Sequence, residues 1–296
     1  MLCLSTTQEE ADTKVFLCAK HAALQGSESI CIETVDTDIV VYALFFNDKI
    51  PVRMYINFTV SSRRRIIDID SIADELGLAC CSALPALHSF TGNDYTSAFY
   101  GCGKSKAFKL VKSDESFQET FSKFGDTFDF NADLFENIEC FVSRLYGSKA
   151  NNVNEARYNK FCSSKKKIPE PQKLPPTRDA LLQHCKRVSY VTAIIKSSLE
   201  NSPTIPDPEG YGWKLEDGKM IVDWILLPMA PADVLIQISC NCKKTRCRTQ
   251  ACECKSHGLQ CTDLCGCVSC NNDHEDSSSE SEDEDDQDES SEDEID

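Results

Sequence analysis

The sequence predicts an α/β domain, then a helical segment, a metal-cluster module and a disordered acidic tail. Three observations predict it. Short β-type runs alternate with helical spacing through residues 11–76, the pattern of a sheet covered by helices. Nine of the eighteen cysteines crowd into residues 240–270. Fifteen Asp or Glu, and no Lys or Arg, fill residues 273–296.

The elements follow in order. Val15, Phe16, Ala19, Ala22 and Ala23 recur at helical spacing and predict a helix over Ala11–Leu24. Ser29–Thr34 is a short β-type run, and an acid-rich turn follows it at residues 35–38. Residues 39–46 are apolar throughout, so periodicity leaves helix and strand both open. Residues 52–60 alternate as a strand, and residues 66–69 predict another, leading into a helix that ends at Leu76. Residues 83–90, 95–111 and 117–146 read as helical, with Gly101 and Gly103 as breaks. Asn-Asn, a Lys165–Lys167 run and four prolines mark residues 148–176 as linker. Residues 179–199 form an amphipathic helix, residues 201–212 a Pro/Gly loop, and Trp213, Trp224 and residues 225–227 are expected to pack. The resulting boundaries are 1–147 for the α/β domain, 148–177 linker, 178–239 connecting region, 240–272 metal module and 273–296 tail.

Charge and cysteine usage narrow the function classes. The formal net charge is −17, but outside residues 273–296 there are 33 acids against 31 bases, so the acidity belongs to the tail. That tail has too little apolar matter to collapse, and it can bind basic proteins, compete with DNA or simply confer solubility. Residues 1–14 hold no apolar core of a secretory signal, and residues 39–46 are too short to span a bilayer. These features predict a nuclear or cytoplasmic chain with no membrane partner. Thiols there stay reduced, so dense cysteines point to metal and scattered ones to ordinary core positions.

The cysteines of the cluster are Cys240, Cys242, Cys247, Cys252, Cys254, Cys261, Cys265, Cys267 and Cys270. Structural zinc takes four thiolates in a tetrahedron. Nine ligands serve about three ions only if three sulfurs bridge, which leaves the cluster near −3. Lys243, Lys244, Arg246, Arg248 and Lys255 lie between the ligands and offset that charge. With almost no apolar residues, the segment must take its folding energy from the metal. The string CNCKKTRCRTQACECKSHGLQCTDLCGCVSC resembles the tesmin-type CXC domain, a DNA-binding zinc module. That resemblance implies that Lys243, Lys244, Arg246 and Arg248 touch DNA. Members that read sequence carry a tyrosine where this chain has Ala251, and many carry two copies where this chain has one, which favours phosphate contact over base readout. A zinc knot that binds protein is the alternative.

Carboxylates recur in the first segment: Glu10 and Asp12 near a helix start, Asp36 and Asp38 beyond a strand, and Asp94 between helices. Gathered together, they suit Mg²⁺ or Mn²⁺; taken singly, they are ordinary helix caps. The order EEAD, DTD, RRRIIDIDSIADELGL, TGNDYTSAFYGCGKSKAFKLV resembles the second half of a flap-endonuclease (XPG-type, PIN-like) nuclease, over residues 7–112. The resemblance implies an incomplete PIN-like parallel sheet and five metal-binding acids, Glu10, Asp12, Asp36, Asp38 and Asp94. It also implies a glycine turn, Gly101 to Lys104, whose backbone N–H groups hold a DNA phosphate with help from Lys104, Lys106 and Lys109. That family's site adds two aspartates and an arch from an N-terminal half, whereas nine residues precede Glu10 here, and Asp12 stands where the family has Glu. The combination with a CXC module resembles transposon-derived animal proteins.

Together these features predict a nuclear, DNA-associated zinc protein descended from a metal-dependent nuclease and catalytically incomplete. An active Mg²⁺- or Mn²⁺-dependent endonuclease on branched DNA and a non-enzymatic scaffold remain as alternatives. Protein partners are expected at the middle helices or the tail. His184 and Cys185 read as structural, and His21, His88, His257 and His274 show no catalytic spacing.

Overall fold

Two compact units make up the chain in a computed structural model, Met1–Leu227 and Pro228–Asp296. The structure describes residues 5–60, 63–163, 171–226, 239–244, 246–261, 265–268 and 270–272. The acidic tail and Lys165–Lys167 lie outside the described residues.

The first unit opens with α1 (Ala11–Leu24), β1 (Ser29–Thr34) and α2 (Thr37–Phe46). The ambiguous run at residues 39–46 is helix because the Asp36 side chain caps it, accepting the Asp38 N–H at 2.8 Å. β2 (Arg53–Val60) lies parallel to β1, and β3 (Arg63–Asp68) lies antiparallel to β2, giving the order β1-β2-β3. The sheet is therefore mixed, not parallel throughout. Only two residues separate β2 from β3, too few for the crossover that a parallel pair requires.

Helices complete the unit: α3 (Ile69–Leu76), α4 (Leu78–Phe90), α5 (Lys104–Ser113), α6 (Glu115–Ser122), α7 (Phe135–Leu145), α8 (Val153–Cys162) and α9 (Arg178–Lys196). A short antiparallel hairpin follows, β4 (Trp213–Glu216) and β5 (Lys219–Val222). One core gathers Phe90, Phe121, Phe124, Phe141, Val188 and their neighbours among the later helices. The other packs Phe16, Phe46, Met54, Ile56 and Val191 around the sheet. α9 contributes to both, through Leu181, Cys185 and Val188 on one side and Tyr190, Val191 and Ile195 on the other. It is a central helix of the first unit, so the connecting region begun at residue 178 is part of that body as far as the hairpin.

Other expectations shift with it. Residues 95–103 are not helical, because the Asn93 side chain accepts the Tyr95 and Thr96 N–H groups at 3.0 Å each and turns the chain. The expected helix over 117–146 is interrupted between α6 and α7, where Gly125 takes φ +73° against α9. α8 occupies the expected linker, anchored by buried Val153 and Ala156. Trp213 packs on Tyr190 with centroids 5.5 Å apart, but Trp224 and Leu226 stay exposed. Of the scattered cysteines, Cys80, Cys81, Cys102 and Cys185 are buried, whereas Cys18, Cys31 and Cys162 are exposed. Among the described residues no helix is long and apolar enough to cross a membrane.

Candidate metal centres

Among the described residues of the second unit the backbone is nearly all turn, with one short helix, α10 (Glu253–Ser256). Its order comes from sulfur. Cys240, Cys247, Cys252 and Cys254 are buried, and Leu259 is the one non-cysteine hydrophobe packed against them among the described residues. The Sγ of Cys240 lies 3.6 Å from those of both Cys247 and Cys261, Cys252 lies 3.8 Å from Cys261, and Cys254 lies 3.5 Å from Cys265. Tetrahedral zinc with bonds of about 2.3 Å sets its sulfurs about 3.8 Å apart, so these thiols fit zinc.

Three quartets of sulfurs lie within 4.8 Å of one another: Cys240, Cys252, Cys254 and Cys261; Cys240, Cys247, Cys261 and Cys267; Cys240, Cys242, Cys247 and Cys252. Four sulfurs are shared, and Cys240 belongs to all three sets. Cys265 and Cys270 fall outside those quartets but pack against the cluster, Cys265 with its Sγ 3.5 Å from that of Cys254. The thiols are unequal. Burial opposes ionisation of Cys252, yet the Lys255 N–H and neighbouring thiols bring it down to about 7. Burial pushes Cys254 up to about 12 and Cys267 to about 11. Arg246 and Cys247 both hold positive φ, 48° and 61°, a strain of about 1 kcal/mol or more each that ligation has to offset. Lys243, Lys244, Arg246 and Arg248 are all exposed, and Lys255 donates to the Arg248 carbonyl at 2.8 Å.

Comparison with known proteins bears on this segment. A family model for the Tesmin/TSO1-like CXC domain, cysteine-rich domain, matches residues 237–274. This segment is a CXC domain. Protein tesmin/TSO1-like CXC 8 of Arabidopsis thaliana is 45% identical over 38 residues, 13% of this chain and 10% of that protein. The chain thus spans about a tenth of that relative's length. No solved structure matches the chain.

The first unit presents a different chemistry. α1, the β1–α2 junction and the loop after α4 converge beside a cleft of about 850 Å³. Glu10 stands at the N-cap position of α1, its side chain accepting the Tyr95 hydroxyl rather than a helix N–H, and Asp12 lies in the first turn. Asp36 ends the β1–α2 turn, and Asp38 stands in the first turn of α2. Asp94 is carried on the Asn93 turn, next to Gly92 at φ +104°. Helix N-termini favour the carboxylates of Asp12 and Asp38. Burial raises the Asp12 pKa, and Asp36, Asp38, Glu10 and Asp94 raise it further, so all five acids share one electrostatic environment. Their oxygens are more dispersed than the thiols: among the described residues, the sets mutually within 4.8 Å contain only cysteine.

Two basic residues depart from the sequence reading. Lys104, expected to add charge beside a phosphate, puts Nζ 2.8 Å from His88 Nδ1 and 3.4 Å from Nε2. His88, which showed no catalytic spacing, is buried and places Nε2 3.0 Å from Asp38 Oδ2. That hydrogen bond is the main cause of the lowered Asp38 pKa. The only sequence signal was a histidine inside the apolar run of α4, six residues before Asp94. Gly101 takes φ +70° and Gly103 caps α5, while Lys106 is exposed on its first turn. His184 is structural in its geometry, with Nε2 2.9 Å from the Phe90 carbonyl oxygen.

Proposed function

We propose that this is a nuclear, DNA-associated zinc protein in which the CXC domain grips the nucleic-acid backbone. The observation that carries the reading is the row of exposed cations, Lys243, Lys244, Arg246 and Arg248, between the buried sulfurs. Cations fixed at that spacing meet phosphates without reading bases. The test is duplex-DNA affinity of the zinc-loaded chain as a function of salt. A steep log–log slope should flatten by about 3 when Lys243, Lys244 and Arg246 become Ala, since each phosphate contact contributes about 0.9. No binding at low salt would refute DNA association and favour a protein-binding knot.

A second reading has its own support. Glu10, Asp12, Asp38 and Asp94 line one cleft and Asp36 adds its charge to the group, in the order that resembles flap endonucleases. They would hold Mg²⁺ or Mn²⁺, which supplies Lewis-acid stabilisation of a phosphodiester when bound. Cleavage of flap DNA that is lost in Asp36→Ala/Asp38→Ala would make the protein an endonuclease. Intact binding without cleavage would leave a DNA-binding protein on a disarmed site.

A further inference from the structure

Thiolates on a metal carry more charge than a small segment can bury, and a nearby cation is one answer. A neutral N–H donor is another. Asn272 stands two residues beyond the last cysteine, and its polar groups turn back onto the cluster. Its backbone N–H donates to the Cys270 Sγ at 3.3 Å. Its Nδ2 donates to the Leu259 carbonyl at 2.9 Å and to the Cys261 Sγ at 3.5 Å. Its own carbonyl accepts the Cys261 N–H at 2.7 Å. One half-buried residue thus fastens the chain at Leu259, Cys261 and Cys270.

The direction of these bonds is fixed by the donor. An amide nitrogen gives protons and takes none, so both sulfurs accept. A sulfur that carries charge accepts more strongly than a neutral one. Cys261 belongs to two of the three quartets, so its position matters to more than one ion. The carboxamide has two protons, one for the Leu259 carbonyl and one for the Cys261 sulfur. A carboxylate of the same shape has none to give.

We propose that Asn272 is a positioning residue of the zinc centre, whose amide hydrogen bonds hold the Cys261 and Cys270 sulfurs on the metal and draw charge from them. The inference rests on zinc occupying the thiol cluster and is independent of DNA binding. Partners of this kind, one step out from the ligands, orient them and tune the ion they hold.

The experiment uses the full chain, loaded with Zn²⁺ for chelator competition and with Co²⁺ for absorption. Asn272→Leu keeps the branched shape without the protons, and Asn272→Asp puts a charged acceptor in their place. Asn272→Leu should release zinc at about tenfold lower chelator concentration than the native chain, and Asn272→Asp at lower still. In the Co²⁺ form of Asn272→Leu, the sulfur-to-cobalt charge-transfer band should move to lower energy, because a sulfur without its N–H partner yields electron density more readily. A residue that merely closed the loop would leave that band in place. Asn272→Gln, which carries the same amide, should stay within about threefold of the native chain in zinc release. An unmoved band in Asn272→Leu, or equal zinc loss in Asn272→Gln and Asn272→Leu, would overturn this inference alone. A native chain that takes up no zinc would overturn the zinc centre and this inference with it.

Discussion

Removing the Cys240 sulfur should do more damage than removing any other in the CXC domain. Cys240 is buried and belongs to all three quartets, whereas Cys242 belongs to one. If the nine thiolates hold about three zincs, Cys242→Ala leaves two quartets whole and should lower bound zinc by about one. Cys240→Ala breaks every quartet and should leave less than about one. A structural zinc site supplies roughly 10–16 kcal/mol of apparent folding free energy in small domains. The few apolar contacts here, around Leu259, cannot replace that. Zinc content by mass spectrometry, with hydrogen exchange at the Cys261 and Gly266 amides, would follow both effects. Those amides donate to Asn272 and Cys240 carbonyls at 2.7 and 2.9 Å, so protection should vanish in Cys240→Ala and persist partly in Cys242→Ala. Equal zinc loss in the two variants, or near-complete zinc in Cys240→Ala, would refute the shared-sulfur geometry.

Three further outcomes test the first unit. Burial holds the His184 pKa at about 4 against an ordinary 6.5, so the unfolded chain takes up a proton that the folded chain refuses. The resulting stability loss is absent above pH 6.5, grows as pH falls towards 4, and amounts to roughly 2 kcal/mol at pH 5. Urea melts at pH 7.5 and 5.0 should differ by that much, and His184→Gln should flatten the difference. Gly125→Ala should cost more than about 2 kcal/mol, because φ is +73° and a Cβ would meet the Ala193 nitrogen at 2.6 Å and the Thr192 carbonyl carbon at 2.7 Å; a thermal midpoint equal to the native chain would overturn this. Arg178→Met strands buried Glu139, whose Oε2 lies 3.0 Å from Arg178 Nε. Since Arg178 is itself largely exposed, solvent screening should limit the loss to about 1–3 kcal/mol in denaturant titration.

How much of this was legible in the sequence depends on the range of the interaction that decides each element. α1 and β1 run as expected, Ala11–Leu24 and Ser29–Thr34, because local periodicity carries them. The run at 39–46 stayed undecided, since its apolar residues fit either state and a side-chain cap from Asp36 settles it. The loop at 95–103 holds one strong helix former, Ala98, and its turn is made by one amide, Asn93, and by φ values that Gly92 and Gly101 adopt easily. α8 was masked by its charged exterior. Its two buried residues, Val153 and Ala156, are too few to raise a periodic signal. The cysteine ligands were plain because spacing in sequence sets spacing in a small metal-held loop. The carboxylates needed an outside likeness to be grouped at all, since Glu10 and Asp94 meet only through the fold. His88 escaped both routes: nothing local marks a histidine whose partners are Asp38 and Lys104.

The two centres share one electrostatic problem and answer it in the same way. If nine thiolates hold about three zincs, roughly three negative charges stay in a segment too small to bury them. The chain supplies Lys243, Lys244, Arg246, Arg248 and Lys255 between the ligands, and Lys255 is tied down by the Arg248 carbonyl. Five carboxylates beside one cleft repel one another, as the raised Asp12 pKa registers. There the chain supplies Lys104, tied down by His88. Lys104 is exposed, as are Lys243, Lys244, Arg246 and Arg248, so access does not separate the two sets; partners do. Lys104 has the His88 ring beside it, whereas the four cations between the sulfurs extend into solvent. Substituting Lys243, Lys244 and Arg246 should therefore weaken retention on an anionic matrix in proportion to the charge removed, and unchanged retention would refute a role for them in anion binding.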